Sequence, residues 1–171
     1  MAKQKKQKHP IELSEENSIS QSRAAIRRMN LSKKTLEAKA IYEQKLAEKY
    51  REENLEKAFY HDRLAMAYFL EADKAVNAAV IAYAGQRHAK NDGLFFAYAN
   101  LAFHAFSECG DFHLAERLAD NARREAKRVA SKLERLAKVY DNIAKKFESK
   151  RDIAREYAKK QQEEEKADEN Y

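Results

Sequence analysis

Apolar positions recur at helical spacing along most of this sequence, with few residues that would end a helix. Residues 33–84 contain neither Gly nor Pro, the two residues that most often terminate helices. Ser32 suits the N-cap position of a helix that starts there. One helix of that length would span about 78 Å at 1.5 Å per residue. We therefore predict breaks near Asn54 and near Asp73, where a short polar side chain can cap a new helix.

Two segments, residues 58–84 and 94–107, are apolar on nearly every helical face. A helix of this kind is buried by its neighbours, so both segments form the predicted core. The intervening segment at 85–93, GQRHAKNDG, has the composition of a loop. Six aromatic residues of the two apolar segments are assigned to the core in preference to a ligand pocket: Tyr68, Phe69, Phe95, Phe96, Phe103 and Phe106.

A tight turn is predicted between the second apolar segment and the helix that follows it. Gly110 can adopt the left-handed conformation that commonly ends a helix, because it has no Cβ. Asp111 comes next and can cap the following helix through its carboxylate. Residues 58–122 would then form a core of antiparallel helical hairpins.

Beyond this turn, apolar residues continue with alternating spacings of four and three. The series is Ala115, Ala119, Ala122, Ala126, Val129, Leu133, Leu136, Tyr140, Ile143 and Phe147. An apolar heptad sustained over this distance is typical of a coiled-coil seam. We predict one long heptad-bearing helix over about residues 112–160, with a bend near Ser149 and no other interruption.

The residues around the turn resemble part of a known repeat, the tetratricopeptide repeat, which is a helix–turn–helix unit. The positions that carry the resemblance are Phe106, Gly110, Asp111, Phe112, Ala115 and Ala122. It covers about residues 95–122, and Phe103 departs from it by standing where the family has a small residue. No 34-residue period extends the pattern over the chain. The resemblance implies helical-hairpin packing and a tendency to bind other proteins.

Composition supports a helical fold throughout. Only three Gly and one Pro occur in 171 residues, and the chain is dominated by Ala, Lys, Glu, Leu and Arg, all good helix formers. Val, Ile and Thr, which favour strands, are scarce. We predict an all-α fold of antiparallel helical hairpins, either TPR-like or packed as a bundle, with one long C-terminal helix.

The formal net charge of the chain is +6. Charge and helical pattern together divide the chain into four parts. Residues 1–13 are basic and polar, which predicts a disordered tail. Residues 14–31 have the pattern of a weak amphipathic helix or linker. Residues 32–160 form the helical domain, and residues 161–171 form an acidic tail.

The basic residues of the N-terminal part and of the long helix could contact nucleic-acid phosphates without sequence specificity. The candidates are Lys3, Lys5, Lys6, Lys8, Arg23, Arg27, Arg28, Arg124, Arg128 and Arg135. The same charges could instead be the solvated faces that long helices need. Nucleic-acid binding therefore remains the alternative function.

Residue patterns typical of catalytic and metal sites are missing from the sequence. It contains no Glu-x-x-His pair, no Cys-x-x-Cys and no glycine-rich phosphate loop. Cys109 is the single cysteine, so an internal disulfide is excluded and a reducing compartment is expected. No apolar run approaches the roughly 20 residues of a membrane span. We expect no catalytic residues, no cofactor and no metal, and a cytoplasmic location, with the nucleus as an alternative in a eukaryotic host.

These features favour a protein–protein interaction module that acts as an adaptor, a chaperone-like protein or an assembly factor. Its partner would be another protein or a second copy of the chain, bound through the C-terminal helix. The predicted contact residues are the distal positions of the seam: Leu133, Leu136, Tyr140, Ile143 and Phe147.

Overall fold

The computed structural model describes residues 19–168, and within them it contains helices and no strands. In chain order the α-helices are α1 (Ile19–Arg28), α2 (Lys33–Tyr50), α3 (Leu55–Glu71), α4 (Ala75–His88), α5 (Asp92–Glu108), α6 (Phe112–Lys132) and α7 (Ala137–Asp168). The predicted all-α class is confirmed. The predicted N-terminal tail at 1–13 lies outside the described residues.

Short polar side chains fix the start of four helices. Ser32, Asn54, Asn91 and Asp111 each accept a hydrogen bond from the backbone N–H three residues later, at 2.8–3.2 Å. Each bond satisfies one of the donors that an α-helix leaves unpaired at its N-terminus. The predicted break near Asn54 and the predicted caps at Ser32 and Asp111 are confirmed.

Three connections between helices pass through a residue with positive φ. These residues are Asn30, Asp73 and Gly110, with φ of 50°, 60° and 76°. The predicted turn at Gly110 and the predicted break near Asp73 are therefore confirmed. The capping role of Asp73 is wrong, because Lys74 is the N-cap of α4 and no side chain bonds there. The Asp73 carboxylate instead pairs with the ammonium group of Lys33.

The segment at 85–93 is mostly helical, which corrects the predicted loop. Helix α4 continues to His88, and Gly85 is buried within it. A Cβ at position 85 would overlap the ring of Tyr98 in α5. Gly85 therefore serves the close approach of two helices, a role that composition does not separate from that of a loop glycine.

Helix α5 repeats α3 at an interval of 37 residues. Their caps, Asn54 and Asn91, are 37 positions apart, and both helices have 17 residues. The positive-φ residues that follow them, Asp73 and Gly110, have the same separation. Identical residues occupy equivalent places in both units: Phe59 and Phe96, Leu64 and Leu101, Ala65 and Ala102, Phe69 and Phe106, Glu71 and Glu108, Ala78 and Ala115, Ala82 and Ala119. The pairs α3/α4 and α5/α6 therefore share the spacing of their caps, their turns and several core residues, and we call each pair a repeat.

The core is formed by consecutive helices that pack on one another, most extensively α2 on α3, α4 on α5 and α6 on α7. Helix α1 packs on α3 and buries Ile19 and Ile26. The alanines of α6 at the start of the seam are fully buried, as their small size predicts for close helix contact. The four aromatic residues Tyr68, Phe69, Phe96 and Phe103 are buried as predicted, and Phe95 and Phe106 pack against the core.

The predicted helix over 112–160 is wrong, because the chain reverses direction within it. Helix α6 ends at Lys132, Leu133 leaves helical geometry with φ −121° and ψ 80°, and a 3₁₀ turn at Glu134–Leu136 leads into α7. Helix α7 runs antiparallel to α6, since Glu116 pairs with Arg155 at 2.6 Å and Asp120 with Arg151 at 3.5 Å.

Burial of the large seam residues explains this reversal. Tyr140 and Phe147 of α7 lie against Phe96 of α5, with ring centroids 6.0 and 6.1 Å apart. Burial of apolar surface is worth about 25 cal/mol per Å², and a straight rod would leave these rings in water. Helix α7 also continues to Asp168, so most of the predicted acidic tail at 161–171 is helical, with its side chains exposed over residues 161–167.

Candidate protein-interaction surface

The seam residues predicted to bind a partner are mainly core residues of this chain. Tyr140, Ile143 and Phe147 are buried, and Leu136 is half-buried against the core. Only Leu133 is largely exposed, at 43 %. Within one chain these residues form core contacts, and a partner could reach the three buried residues only if α7 left α5 and α6.

The most exposed apolar row within the described residues lies on α4. Val76, Val80 and Tyr83 are 67 %, 61 % and 50 % exposed. At about 100° per residue, their spacings of four and three place them within a sector of about 60° on the helix. Ala78 and Ala82, which are completely buried, lie on the opposite side. We call the row formed by Val76, Val80 and Tyr83 the α4 stripe.

The fold does not require apolar residues at these positions. In the second copy of the repeat, 37 residues later, the equivalents of Val76, Val80 and Tyr83 are His113, Arg117 and Asp120. That face of α6 is polar and borders α7, because His113 bonds Gln162 and Asp120 pairs with Arg151, both of α7. The apolar character of the α4 stripe is therefore specific to this unit.

The charged residue of α4 is basic. Helix α4 contains no acidic residue, and its last turn contains Arg87 and His88. Arg87 is exposed and lies four residues after Tyr83, on the line of the stripe. Its equivalent on α6, Arg124, pairs with Asp120 at 2.7 Å. In α4, Tyr83 takes the place that Asp120 has in α6, so α4 itself supplies no carboxylate to pair with Arg87.

Sequence reasoning missed the α4 stripe because the segment at 58–84 is apolar on nearly all sides. Ala78, Ala79, Ile81 and Ala82 form the buried side of α4, and the stripe continues the apolar character onto the side that faces water. Side-chain size was the signal that could have revealed the stripe. The buried side of α4 consists mostly of alanine, whereas Val76, Val80 and Tyr83 are large and exposed.

A second exposed apolar pair lies on the flank of α7. Ile153 and Tyr157 are 53 % and 51 % exposed, and the ring of Tyr157 stacks on Phe112 at 5.0 Å. The Lys160 ammonium group lies over the same ring, 5.6 Å from its centroid, and 3.7 Å from Glu156. Glu164 follows one turn later and is exposed. We call the row formed by Ile153, Tyr157, Lys160 and Glu164 the α7 flank.

Two of the arginines predicted to bind nucleic acid hold helices together. Arg23 of α1 pairs through Nε with Glu71 at 2.5 Å and through Nη1 with Glu108. Arg27 also pairs with Glu71, at 2.9 Å. Burial acts to raise the pKa of Glu71, but the hydrogen bonds from Arg27 and Arg23 lower it overall. Glu71 and Glu108 occupy equivalent positions of the two repeats, so Arg23 joins one repeat to the next.

Two more of these arginines pair within α6. Arg124 pairs with Asp120, and Arg128 pairs with Glu125. Arg124 also lines a surface groove of about 340 Å³ between α6 and α7, in which the acidic residues Glu116 and Asp120 accompany the arginines. Arg28 and Arg135 are exposed. The four lysines Lys3, Lys5, Lys6 and Lys8 lie outside the described residues.

A buried polar group connects α2, α3 and α5. Asp62 is completely buried, and it accepts a hydrogen bond from the Tyr98 hydroxyl at 2.5 Å. Its two oxygens are each 3.1 Å from Nη2 of Arg51. Burial raises the pKa of Asp62 in spite of these two partners. Burial, together with the Asp62 charge, also raises the pKa of Tyr98. The group fixes the relative positions of three helices.

Burial shifts the pKa values of two nucleophilic side chains in opposite directions. Burial raises the pKa of the Cys109 thiol, which disfavours the reactive thiolate. Burial lowers the pKa of Lys150 to about 8, and its ammonium group lies 4.5 Å from the centroid of the Phe103 ring. Among residues 19–168, no three side chains of His, Cys, Asp or Glu are grouped to hold a metal ion.

Within the same part of the chain, no helix combines the length and the apolar character needed to span a bilayer. Comparison of the chain with protein-family models, with curated proteins and with solved structures gave no match.

Proposed function

We propose that this protein is a non-enzymatic protein–protein interaction module whose partner surface is the α4 stripe. The observation that carries the proposal is the exposure of Val76, Val80 and Tyr83 on consecutive turns of one helix. Spacings of four and three are those by which an amphipathic helix is recognised in helix–helix docking. The proposal keeps the class of function predicted from the sequence and moves the surface from the C-terminal seam to α4.

The repeated helix pairs support this class of function. We propose that α3/α4 and α5/α6 form a short stack of helical hairpins of the TPR-like kind, with α7 covering the end of the stack. The unit of 37 residues is three longer than the tetratricopeptide repeat. Stacked helix pairs present extended surfaces, and such proteins commonly use them to bind other proteins.

Burial of the exposed apolar area of the stripe would drive the docking of a partner. Large apolar side chains grouped on a surface frequently mark an interaction site, and each would leave water when a partner docks. The equivalent positions of α6 are polar, so this type of helix pair accommodates polar residues there and does not by itself call for an apolar row.

Nucleic-acid binding is the less favoured alternative. Arg23, Arg27, Arg124 and Arg128 are engaged with carboxylates of the same chain. Phosphate binding would have to compete with these ion pairs, and the gain from counterion release would be reduced.

A capture experiment from the native host tests the proposal. The wild-type protein, Val80→Asp and Arg117→Asp would be used as bait, with one half of each extract treated with nuclease. Arg117 is the matched control, because it occupies the equivalent exposed position of the next repeat. We expect the Arg117→Asp variant to keep the partner of the wild type and the Val80→Asp variant to lose it, with or without nuclease.

Circular dichroism would first establish that both variants are folded. Retention of the same partner by Val80→Asp would contradict the assignment of the α4 stripe. Loss of the captured protein after nuclease treatment would instead favour the nucleic-acid alternative.

A further inference from the structure

We propose that the occupant of the α4 stripe is the α7 flank of a second copy of this chain. This inference rests on the proposed function, because it names the partner of the same surface. The two helices would pack side by side in the same direction, with Val76 at one end of the contact and Arg87 at the other.

The two surfaces have the same spacing. On α4 the row is Val76, Val80, Tyr83 and Arg87, and on α7 it is Ile153, Tyr157, Lys160 and Glu164. Both rows follow intervals of four, three and four, so each lies along one side of its helix. Each row begins with two large apolar residues and ends with a charged one.

The charges of the two rows are complementary in one direction only. In a parallel arrangement Val76 and Val80 meet Ile153 and Tyr157, and Arg87 meets Glu164. The Lys160 ammonium group would lie beside the Tyr83 ring, an arrangement that favours a cation–π contact. In the antiparallel arrangement Glu164 would face Val76 and Arg87 would face Ile153, so the two charged residues of the rows would not meet each other.

The wider charge distribution agrees with this pairing. Helix α4 has no acidic residue, and the exposed end of α7 contains Glu163, Glu164 and Glu165 in succession. Attraction between the ends of the two helices would favour the correct orientation during association.

Both rows are exposed within a single chain, so they do not cover one another there. A second copy brings the two surfaces together, and a two-fold arrangement would use each of them twice. Four helices would then contribute to the interface. A stable interface generally buries at least about 1,200 Å², and one helix pair with few apolar contacts would fall short of that area.

Charge reversal provides the test. Sedimentation equilibrium of the full chain would be measured from about 1 to 100 μM for the wild type, Arg87→Glu, Glu164→Arg and the double variant. We expect a dimer for the wild type, association about 10-fold weaker for each single variant, and restoration to within about threefold in the double variant. Arg124→Glu, the equivalent substitution on α6, is the control and should dimerise as the wild type does.

A wild-type protein that stays monomeric at 100 μM would overturn the inference, as would a double variant no better than the single ones. Either result leaves the proposed function testable on its own. If the wild type is monomeric but captures a different protein through Val80, the proposed function stands and the second copy is not the partner. If the wild type is monomeric and captures no protein, both proposals are contradicted.

Discussion

Gly85 of α4 lies directly against the ring of Tyr98 of α5, so that the two helices approach more closely than any side chain at position 85 would permit. The hydroxyl group of the same ring donates to Asp62 of α3 at 2.5 Å. The ring is thus held from two sides, by a helix backbone and by a buried carboxylate. This contact fixes α4, the helix that carries the proposed partner surface, on the rest of the fold.

Gly85→Ala is expected to destabilise the protein although it lies within a helix. Ala is intrinsically better than Gly there by about 1 kcal/mol, but its Cβ would overlap the Tyr98 ring. The ring cannot move away without losing its bond to Asp62, so we expect a net loss of about 1–3 kcal/mol. Urea unfolding followed by circular dichroism measures this. Gln86→Ala, at the next position, is the control, and a Gly85→Ala variant as stable as this control would contradict the proposed contact.

Arg51→Met is expected to cost about 3 kcal/mol of folding free energy. The substitution removes the cation beside the fully buried Asp62 and leaves a charge without its counter-ion. Arg27→Met should cost less than about 1 kcal/mol, because the Arg27 side chain is 61 % exposed and surface ion pairs contribute little. Denaturant unfolding at pH 7 compares the two variants, and similar losses for both would show that the Asp62 group is not a stabilising centre.

Lys150 should make stability depend on pH above neutrality. Burial lowers its pKa to about 8 in the folded protein, whereas an unfolded chain has a pKa near 10.4 for lysine. Between these values the unfolded state binds more protons, so stability rises with pH from about 8 to about 10. Below pH 8 both states are protonated, and the full cost of burying the charge is present.

Lys150→Met removes that charge and keeps an unbranched side chain against Phe103. We expect a melting temperature about 2–4 °C above that of the wild type at pH 7, with the difference shrinking as the pH approaches 10. Lys145→Met, at an exposed site of the same helix, should change little at either pH. A difference that stays constant from pH 7 to pH 10 would exclude Lys150 as its cause.

Phe147→Ala and Leu133→Ala separate the core from the surface within the predicted seam. Phe147 is buried against Phe96, so its truncation should cost about 3–5 kcal/mol. Leu133 is largely exposed at the reversal between α6 and α7, and its truncation should cost less than about 1 kcal/mol. Thermal unfolding compares them. Equal, small losses would mean that α7 does not pack on α5 as described.

Local chemistry predicts much of this fold. Ser32, Asp111 and Gly110 act through contacts within a few residues of themselves, so their roles follow from the sequence around them. The buried alanines of α6 were also predictable, because a repeating row of small residues requires a close neighbour. The all-α class follows from the composition for the same reason.

The reversal at Leu133 and the role of Gly85 depend on contacts that are distant in sequence. A heptad pattern looks the same whether its two halves face an external partner or fold back onto one core. Only the position of Phe96 decides between these outcomes for Tyr140 and Phe147. The 37-residue repeat is visible in the sequence as identical residues 37 positions apart, such as Ala78 and Ala115. A search for the 34-residue period of the tetratricopeptide repeat does not detect it.

The most direct test of the α4 stripe is photo-crosslinking in the native host. A benzophenone amino acid would replace Val80 in one variant and Arg117 in another, so that the same reactive group stands on equivalent faces of the two repeats. We expect a discrete protein adduct from position 80 and none from position 117. No adduct from position 80, or the same adducts from both positions, would contradict the assignment of α4 as the partner surface.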